Sequence, residues 1–546
     1  MTPVPPQIRA LFWLIAAACG LFATLASCAV LFFAAQSGAT PDATFLLKTS
    51  IKALAFLLAT NLALWRLRRS INGIPTESHT REHNSPNPFA IAVALALVLV
   101  IAVPNLGAYP AIQPDESHHL GVAKNIALHH VYGSGNPESG YIIFDDYDSV
   151  GPPVILPAAL ALATHGSSSI AAGRAVMPLY LLLLCIAAFI FIRQHWGAHT
   201  ASFAIIAIPI GLMTPYLSRT LYGEVPALSF VLIGLSLWRV GLRDASFNTR
   251  NRLALGAAGI CFAFAVLCKE FLLVSVCAFL AVYVFDRFSH RRIHLLHLVY
   301  PALGFIMVFG AYMAFTHKVA TPSQSDIGAW QTYQHNLLFG FDSVPKTLAW
   351  LATHAHVVLP ALVAMLLLAP RLLSKDYDPP SLVLSVSAMQ FLFWWIFFTP
   401  GHIQRYLWFT CAISGIFAAI ALAVYWKENR GYVKTLALCA LVFAPLCWTT
   451  AEEGLLAFTR DETRDERLLC EYIQKLPPTM PIATTHWPLK RIISLLADRD
   501  VRVINEMAES RPEEFVIMPV RTPNDGEPVC AELGAYVVYC PVAKPK

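Results

Sequence analysis

The chain has 546 residues, of which 56% are hydrophobic and only 13% charged, with a formal net charge of +5. A soluble globular domain carries about 25% charged residues, so most of this chain suits lipid. The small positive balance gives no reason to expect a nucleic-acid partner and needs no more explanation than basic cytoplasmic loops.

From the N-terminus, residues 11–35 are too long and apolar for a signal sequence and read as a membrane helix. Runs of similar character recur near 49–65, 88–108, 175–192, 200–217, 221–238, 253–268, 270–285, 296–316, 346–369, 381–398, 406–425 and 434–450. Each is long enough to be read as crossing a hydrocarbon core about 30 Å thick, so about thirteen spans are expected. One alternate set of loops is consistently basic. It holds Arg66, Arg68 and Arg69, then Arg193, then Arg239 and Arg243, then Arg287, Arg291 and Arg292, then Arg371 and Lys375, then Lys427 and Arg430. That set is expected on the cytoplasmic side. The long loops 109–174 and 317–345 and the tail after 450 then face outward.

The tail alternates helix-like and strand-like runs, such as "DETRDERLLCEYIQKL" and "EFVIMPV", which points to a small extracytoplasmic α/β domain. The expected organisation is two N-terminal helices and a linker over 1–87, a membrane core over 88–450, and the α/β domain over 451–546. The twelve cysteines include no CxxC pair, so a zinc ribbon is not expected. Cys470, Cys530 and Cys540 lie in the polar tail, where two of the three can pair if it meets an oxidising compartment.

Chemistry-bearing residues gather on the outward side. "AIQPDESHHLGVAKN" at 111–125 places Asp115 and Glu116 in the first turn of a helix expected to lie in the membrane interface. Favourable interaction with the helix dipole accounts for one acid but not for a pair at the mouth of a membrane cavity. "LSRTLYGEVPAL" supplies Arg219 and Glu224, "LCKEFLL" supplies Lys269, "FTPGHIQRYLWF" supplies His402 and Arg405, and "FDDYDSVGPPVILPA" supplies Asp146. Each has a plainer role open to it: an interfacial ion pair, a lysine snorkelling to headgroups, a helix anchor, or a soluble loop. Their shared side favours one polar site. Cations there suit a lipid phosphate, and a carboxylate suits removal of a proton from an attacking hydroxyl. A single base opposite a phosphate leaving group implies displacement with inversion.

A lipid-linked sugar transporter or flippase is the main alternative, but it should show internal repeats and mid-bilayer charges. An O-antigen ligase-like enzyme would share the outward Arg and His but lack the acidic pair.

The elements "PDESHHLGVAKNIA", "YDSVGPPVILPAALALATHGSSSIAAGRAV", "SRTLYGEVPAL", "KEFLL" and "HIQRYLWF" resemble the GT-C glycosyltransferases, in the branch of protein O-mannosyltransferases and the lipid A aminoarabinose transferase. The resemblance implies an α-helical polytopic GT-C membrane fold and a polyprenyl phosphate sugar donor. It also implies a catalytic Asp at Asp115 with Glu116 beside it. The acceptor would be a hydroxyl of a lipid, glycan or protein, and the setting the outer face of a bacterial inner membrane. Many relatives carry Lys or Arg before the proline pair of the first loop, where this chain has Ser149-Val150-Gly151. Lys269 and Arg405 are therefore the candidate phosphate ligands, with His118, Arg219, Glu224, His402 and Asp146 as supporting groups. Adjacent histidines point about 100° apart on a helix and do not share a metal easily. A divalent ion on Asp115, His118 and a third ligand is the minor alternative, and no cofactor is expected to be required.

Overall fold

The computed structural model describes residues 85–137, 140–144, 150–166, 169–242, 248–289, 292–319, 368, 377–398, 404–429, 432–504, 509–511, 513–519 and 528–541. The expected spans at 11–35, 49–65 and, but for one residue, 346–369 lie outside them, as do Asp146, His402 and most of the 317–345 loop.

The described helices in chain order are α1 (Pro88–Ala102), α2 (Pro114–His129), α3 (Pro152–His165), α4 (Ile170–Arg174), α5 (Val176–Trp196), α6 (Ala198–Ala204), α7 (Thr214–Leu217), α8 (Glu224–Leu242), α9 (Thr249–Cys268), α10 (Val274–Ser289), α11 (Leu296–Phe305), α12 (Ala311–Val319), α13 (Pro379–Phe398), α14 (Trp408–Asn429), α15 (Tyr432–Thr459), α16 (Arg464–Lys475) and α17 (Trp487–Ala497). A π-turn, Ile306–Gly310, joins α11 to α12. Several helices open with proline in the first turn, where its missing N–H costs nothing. These include α1, whose Asn87 cap accepts from the backbone N–H groups of Phe89 and Ala90, and α2 and α3.

Among the described residues, six helical stretches are long and apolar enough to cross a membrane: Ile170–Trp196, Glu224–Leu242, Thr249–Cys268, Glu270–Phe288, Leu296–Thr316 and Arg405–Val424. The run 200–217 departs from expectation. It breaks into α6, a short 3-10 turn (Ile205–Ala207) and α7. Pro209 and Pro215 remove backbone donors and Gly211 weakens the helix between them, so a continuous helix does not form. The segment 109–174, expected as a loop, is largely helical and contains α2, α3, α4 and a hairpin of β1 (Gly133–Asn136) and β2 (Gly140–Ile143).

The tail builds a five-stranded sheet in the order β4-β3-β5-β7-β6, from β3 (Ile482–Thr484), β4 (Arg502–Val503), β5 (Phe515–Pro519), β6 (Val529–Leu533) and β7 (Tyr536–Tyr539). β3 is parallel to β4 and β5, while β7 is antiparallel to β5 and β6. A disulfide, Cys530–Cys540, joins the β6 and β7 ends, and Cys470 stays free and buried. Leu469, Ile473, Leu489, Ile492 and Ile493 of the tail helices share one apolar cluster with Leu120, Val122 and Ala123 of α2. The tail is thus packed directly onto the helix that carries the acidic pair.

Polar groups mark the two ends of α8, about 28 Å apart for 19 residues. Glu224 starts it. Near its other end the buried Arg239 bonds to Asp378, Gln194 and the Phe191 carbonyl. Arg239, expected as a cytoplasmic loop charge, is therefore an internal ion pair at that end of the bundle.

Candidate active site

Helix α2 is not the half-exposed interfacial helix its spacing suggested. Glu116–Leu120 and Val122–Asn125 are all buried, because the bundle covers one side and α17 the other. Its polar side chains each meet a specific partner, as buried polar groups must.

The two neighbouring acids have different fates. Glu116 is fully buried. Its carboxylate accepts Arg174 Nε at 2.7 Å and Nη2 at 2.6 Å, and the Leu221 backbone N–H at 2.9 Å. All three bonds run to the protein and the side chain is out of reach of solvent, so the structure places Glu116 in a buried brace rather than at the opening beside Asp115. Arg174, the "GR" arginine, also donates to the carbonyls of Leu106 and Pro110, both at 2.9 Å. Asp115 keeps 30% of its side chain exposed and pairs through Oδ2 with Arg405 Nη2 at 2.5 Å. Burial works against its ionised form, but the Arg405 guanidinium outweighs this and holds the carboxyl below the usual range.

Arg405 is positioned by aromatic faces. Its guanidinium carbon lies 4.8 Å from the Tyr222 ring centre and 5.2 Å from that of Tyr406, within cation–π range. Its Nε has no hydrogen-bond partner among the described residues. Lys269, at the extended C-terminal cap of α9, is buried with its Nζ 6.0 Å from the Tyr406 ring centre and 3.9 Å from Glu224 Oε1. Neither carboxylate oxygen of Glu224 has a hydrogen-bond partner among the described residues. Gly223 permits this approach, since a Cβ there would lie 1.8 Å from the Cys268 carbonyl oxygen. Two cations and two carboxylates thus share the site, and its formal charge balances.

Gly151 stands before the double proline for a similar reason. Its N–H donates to the Leu267 carbonyl at 2.8 Å, and an added Cβ would meet that oxygen at 2.6 Å. The position serves the junction of α3 with α9.

Arg219 does not join the site. Its guanidinium donates to the carbonyls of Ile101, Pro104 and Tyr109, so the structure places it as a brace of the turn before α2. His118 is buried, its ring edge-on to His119 at 6.1 Å. His119, which the sequence reading left without a role, places Nδ1 3.0 Å from the Leu221 carbonyl oxygen and packs on Tyr222. Burial, then the neighbouring His118 and Lys269, push its pKa well below the usual histidine value. Among the described residues, no three His, Cys, Asp or Glu side chains are grouped to hold a metal.

Tyr222 and Tyr406 belong to the site as well, although neither charge nor periodicity marks them. Their signal was adjacency: each sits within three residues of an arginine in the quoted motifs.

No protein-family model matches the sequence, and no curated protein matches it. The fold has solved counterparts. Cupriavidus metallidurans ArnT bound to undecaprenyl phosphate superposes with a TM-score of 0.57 at 16% identity, covering 84% of this chain and 99% of that one. Its apo state gives 0.57 at 14% identity, over 84% and 98%. The Archaeoglobus fulgidus oligosaccharyltransferase AglB, in complex with an inhibitory peptide and a dolichol-phosphate, gives 0.52 at 11% identity, over 80% and 70%. At such identities the likeness is one of architecture, and it extends over nearly the full length of ArnT: the chain shares the fold of ArnT and AglB.

Proposed function

We propose that this protein is an inverting glycosyltransferase that moves a sugar from a polyprenyl phosphate donor to a hydroxyl of a lipid, glycan or protein acceptor on the outer face of the membrane. The observation that carries the reading is the Asp115–Arg405 pair, partly open, with Lys269 beside it. In this mechanism Asp115 takes the proton of the acceptor hydroxyl. The acceptor oxygen forms a bond to the anomeric carbon as the carbon–oxygen bond to phosphate breaks. The electron pair leaves with the polyprenyl phosphate, which Arg405 and Lys269 stabilise as its charge develops. Arg405 Nε–H, buried and without a hydrogen-bond partner among the described residues, would turn to a phosphate oxygen once the donor is bound. No metal or other cofactor takes part in this scheme, and neutral His119 acts as a wall. The polyprenyl phosphate and dolichol-phosphate ligands of the structural counterparts agree with such a donor.

Two features support the outward setting. The site lies at the end of α8 opposite the Arg239–Asp378 pair, where the basic loops gather. The Cys530–Cys540 disulfide suits an oxidising compartment.

The test is transfer in proteoliposomes supplied with polyprenyl phosphate sugars and, separately, polyprenyl diphosphate sugars. Lys269→Ala and Arg405→Ala should each raise the donor KM by roughly ten- to hundred-fold, the worth of one charge-assisted hydrogen bond. Wild-type turnover confined to diphosphate donors, or unaltered donor KM in both variants, would sink the reading.

A further inference from the structure

Lys124 is an unusual residue for the middle of a buried helix. Its side chain is only 4% exposed, yet it carries a charge, and burying an ammonium is costly unless it is paired. Its Nζ donates to the Leu495 carbonyl at 2.5 Å and meets Asp498 Oδ1 at 2.8 Å. Both partners belong to the C-terminal end of α17, and Asp498 is its left-handed cap. The last carbonyls of a helix lack intrahelical donors and carry partial negative charge, so the lysine of one helix serves as the end cap of another.

Lys124 is nine residues after Asp115, about 13.5 Å along the same helix. The other end of α2 is held by the tail as well. Glu462 N–H and Thr463 N–H donate to the Ala108 carbonyl at 2.8 and 3.2 Å, Glu462 Oε2 accepts from Ala111 N–H at 3.1 Å, and Tyr109 OH donates to Glu453 at 2.5 Å. The helix that presents Asp115 is therefore gripped before its first turn and again at its third.

We infer that Lys124 is a positioning residue: it latches α2 to the C-terminal α/β unit so that this unit fixes Asp115 against Arg405. The tail is then part of the machinery that sets the base, although it supplies no group to the reacting atoms. The consequence for turnover rests on the reading of Asp115 as the base; the mechanical claim does not.

The full chain in detergent micelles is labelled with a water-soluble carbodiimide and an amine, and the modification rates of Asp115 and Glu514 are read by mass spectrometry. Glu514 pairs with Arg502 inside the tail, away from α2, and reports whether the tail stays folded. Lys124→Met should raise the Asp115 rate roughly five-fold, the change that a loss of about 1 kcal/mol of pairing would give, and leave Glu514 unchanged. Asp498→Asn, at a residue 58% exposed, keeps the Leu495 contact and should give a smaller rise in the same direction. If Lys124→Met also opens Glu514, Asp498→Asn decides. Asp115 rates equal to wild type, or rising only together with Glu514, overturn the proposal. In the transfer assay both variants should lower kcat and spare the donor KM. Labelling that responds while no polyprenyl phosphate sugar is transferred would break the functional reading and leave the latch standing.

Discussion

Glu116 and Arg174 face each other through two parallel hydrogen bonds, 2.7 and 2.6 Å long, with neither side chain reached by solvent. Removing one partner of such a pair leaves an uncompensated buried charge and costs about 3–5 kcal/mol. Asp115, the next residue, sits in a half-open pair. Glu116→Gln should therefore lower the thermal unfolding midpoint in detergent strongly and reduce the yield of folded protein. Asp115→Asn should lower that midpoint far less and abolish transfer. Equal thermal midpoints for the two variants, or full transfer by Asp115→Asn, would contradict this division of labour.

Gly223 sets the distance between the Glu224 helix and the Lys269 turn. A methyl group there would overlap a backbone oxygen at 1.8 Å, and that oxygen ends α9, so it cannot swing aside as a side chain does. Gly223→Ala is expected to cost about 1–3 kcal/mol by overpacking and to push Lys269 away from Glu224. The measurable result is a raised donor KM at temperatures where the variant remains folded. Unchanged kinetics would show that the turn relaxes without moving the lysine.

The pH dependence follows from the direction of two shifts. Asp115 is held below the usual carboxylate range by Arg405, with His119 and Lys269 also facing it. It is ionised throughout the neutral range, and the stability it contributes is present above its unfolded pKa and lost only as pH falls through the lowered folded value. His119 is held well below the usual histidine value and stays neutral. The rate of transfer should therefore be flat between roughly pH 5 and 8 as far as these two groups are concerned. An inflection near pH 6.5 that disappears in His119→Asn would show that the imidazole titrates in the working range.

The adjacent acids show where sequence reading stops. Periodicity put Asp115 and Glu116 together in the first turn of a helix, and that turn is present. It did not separate a carboxylate aimed at Arg405 from one aimed at Arg174, because successive side chains on a helix point about 100° apart and their partners lie 290 and 58 residues away. Arg219 and Arg405 looked alike as arginines at span ends. One was spent on backbone carbonyls and the other kept a free N–H, a distinction that depends on which loop packs beside each.

The sequence by itself determined what local physics dictates: apolar runs that match a bilayer, prolines that open helices, and polar residues kept near span ends, where charge is least costly. It also carried the motifs that resemble a GT-C enzyme. Only the tertiary structure decided how those polar residues pair. It joined Asp115 to Arg405 and Glu224 to Lys269, assigned Glu116 and Arg219 to bracing, and set the tail against the helix of the candidate base through Lys124. Pairing inside a dry core depends on distances of a few ångströms between distant segments, and composition and periodicity do not encode such distances.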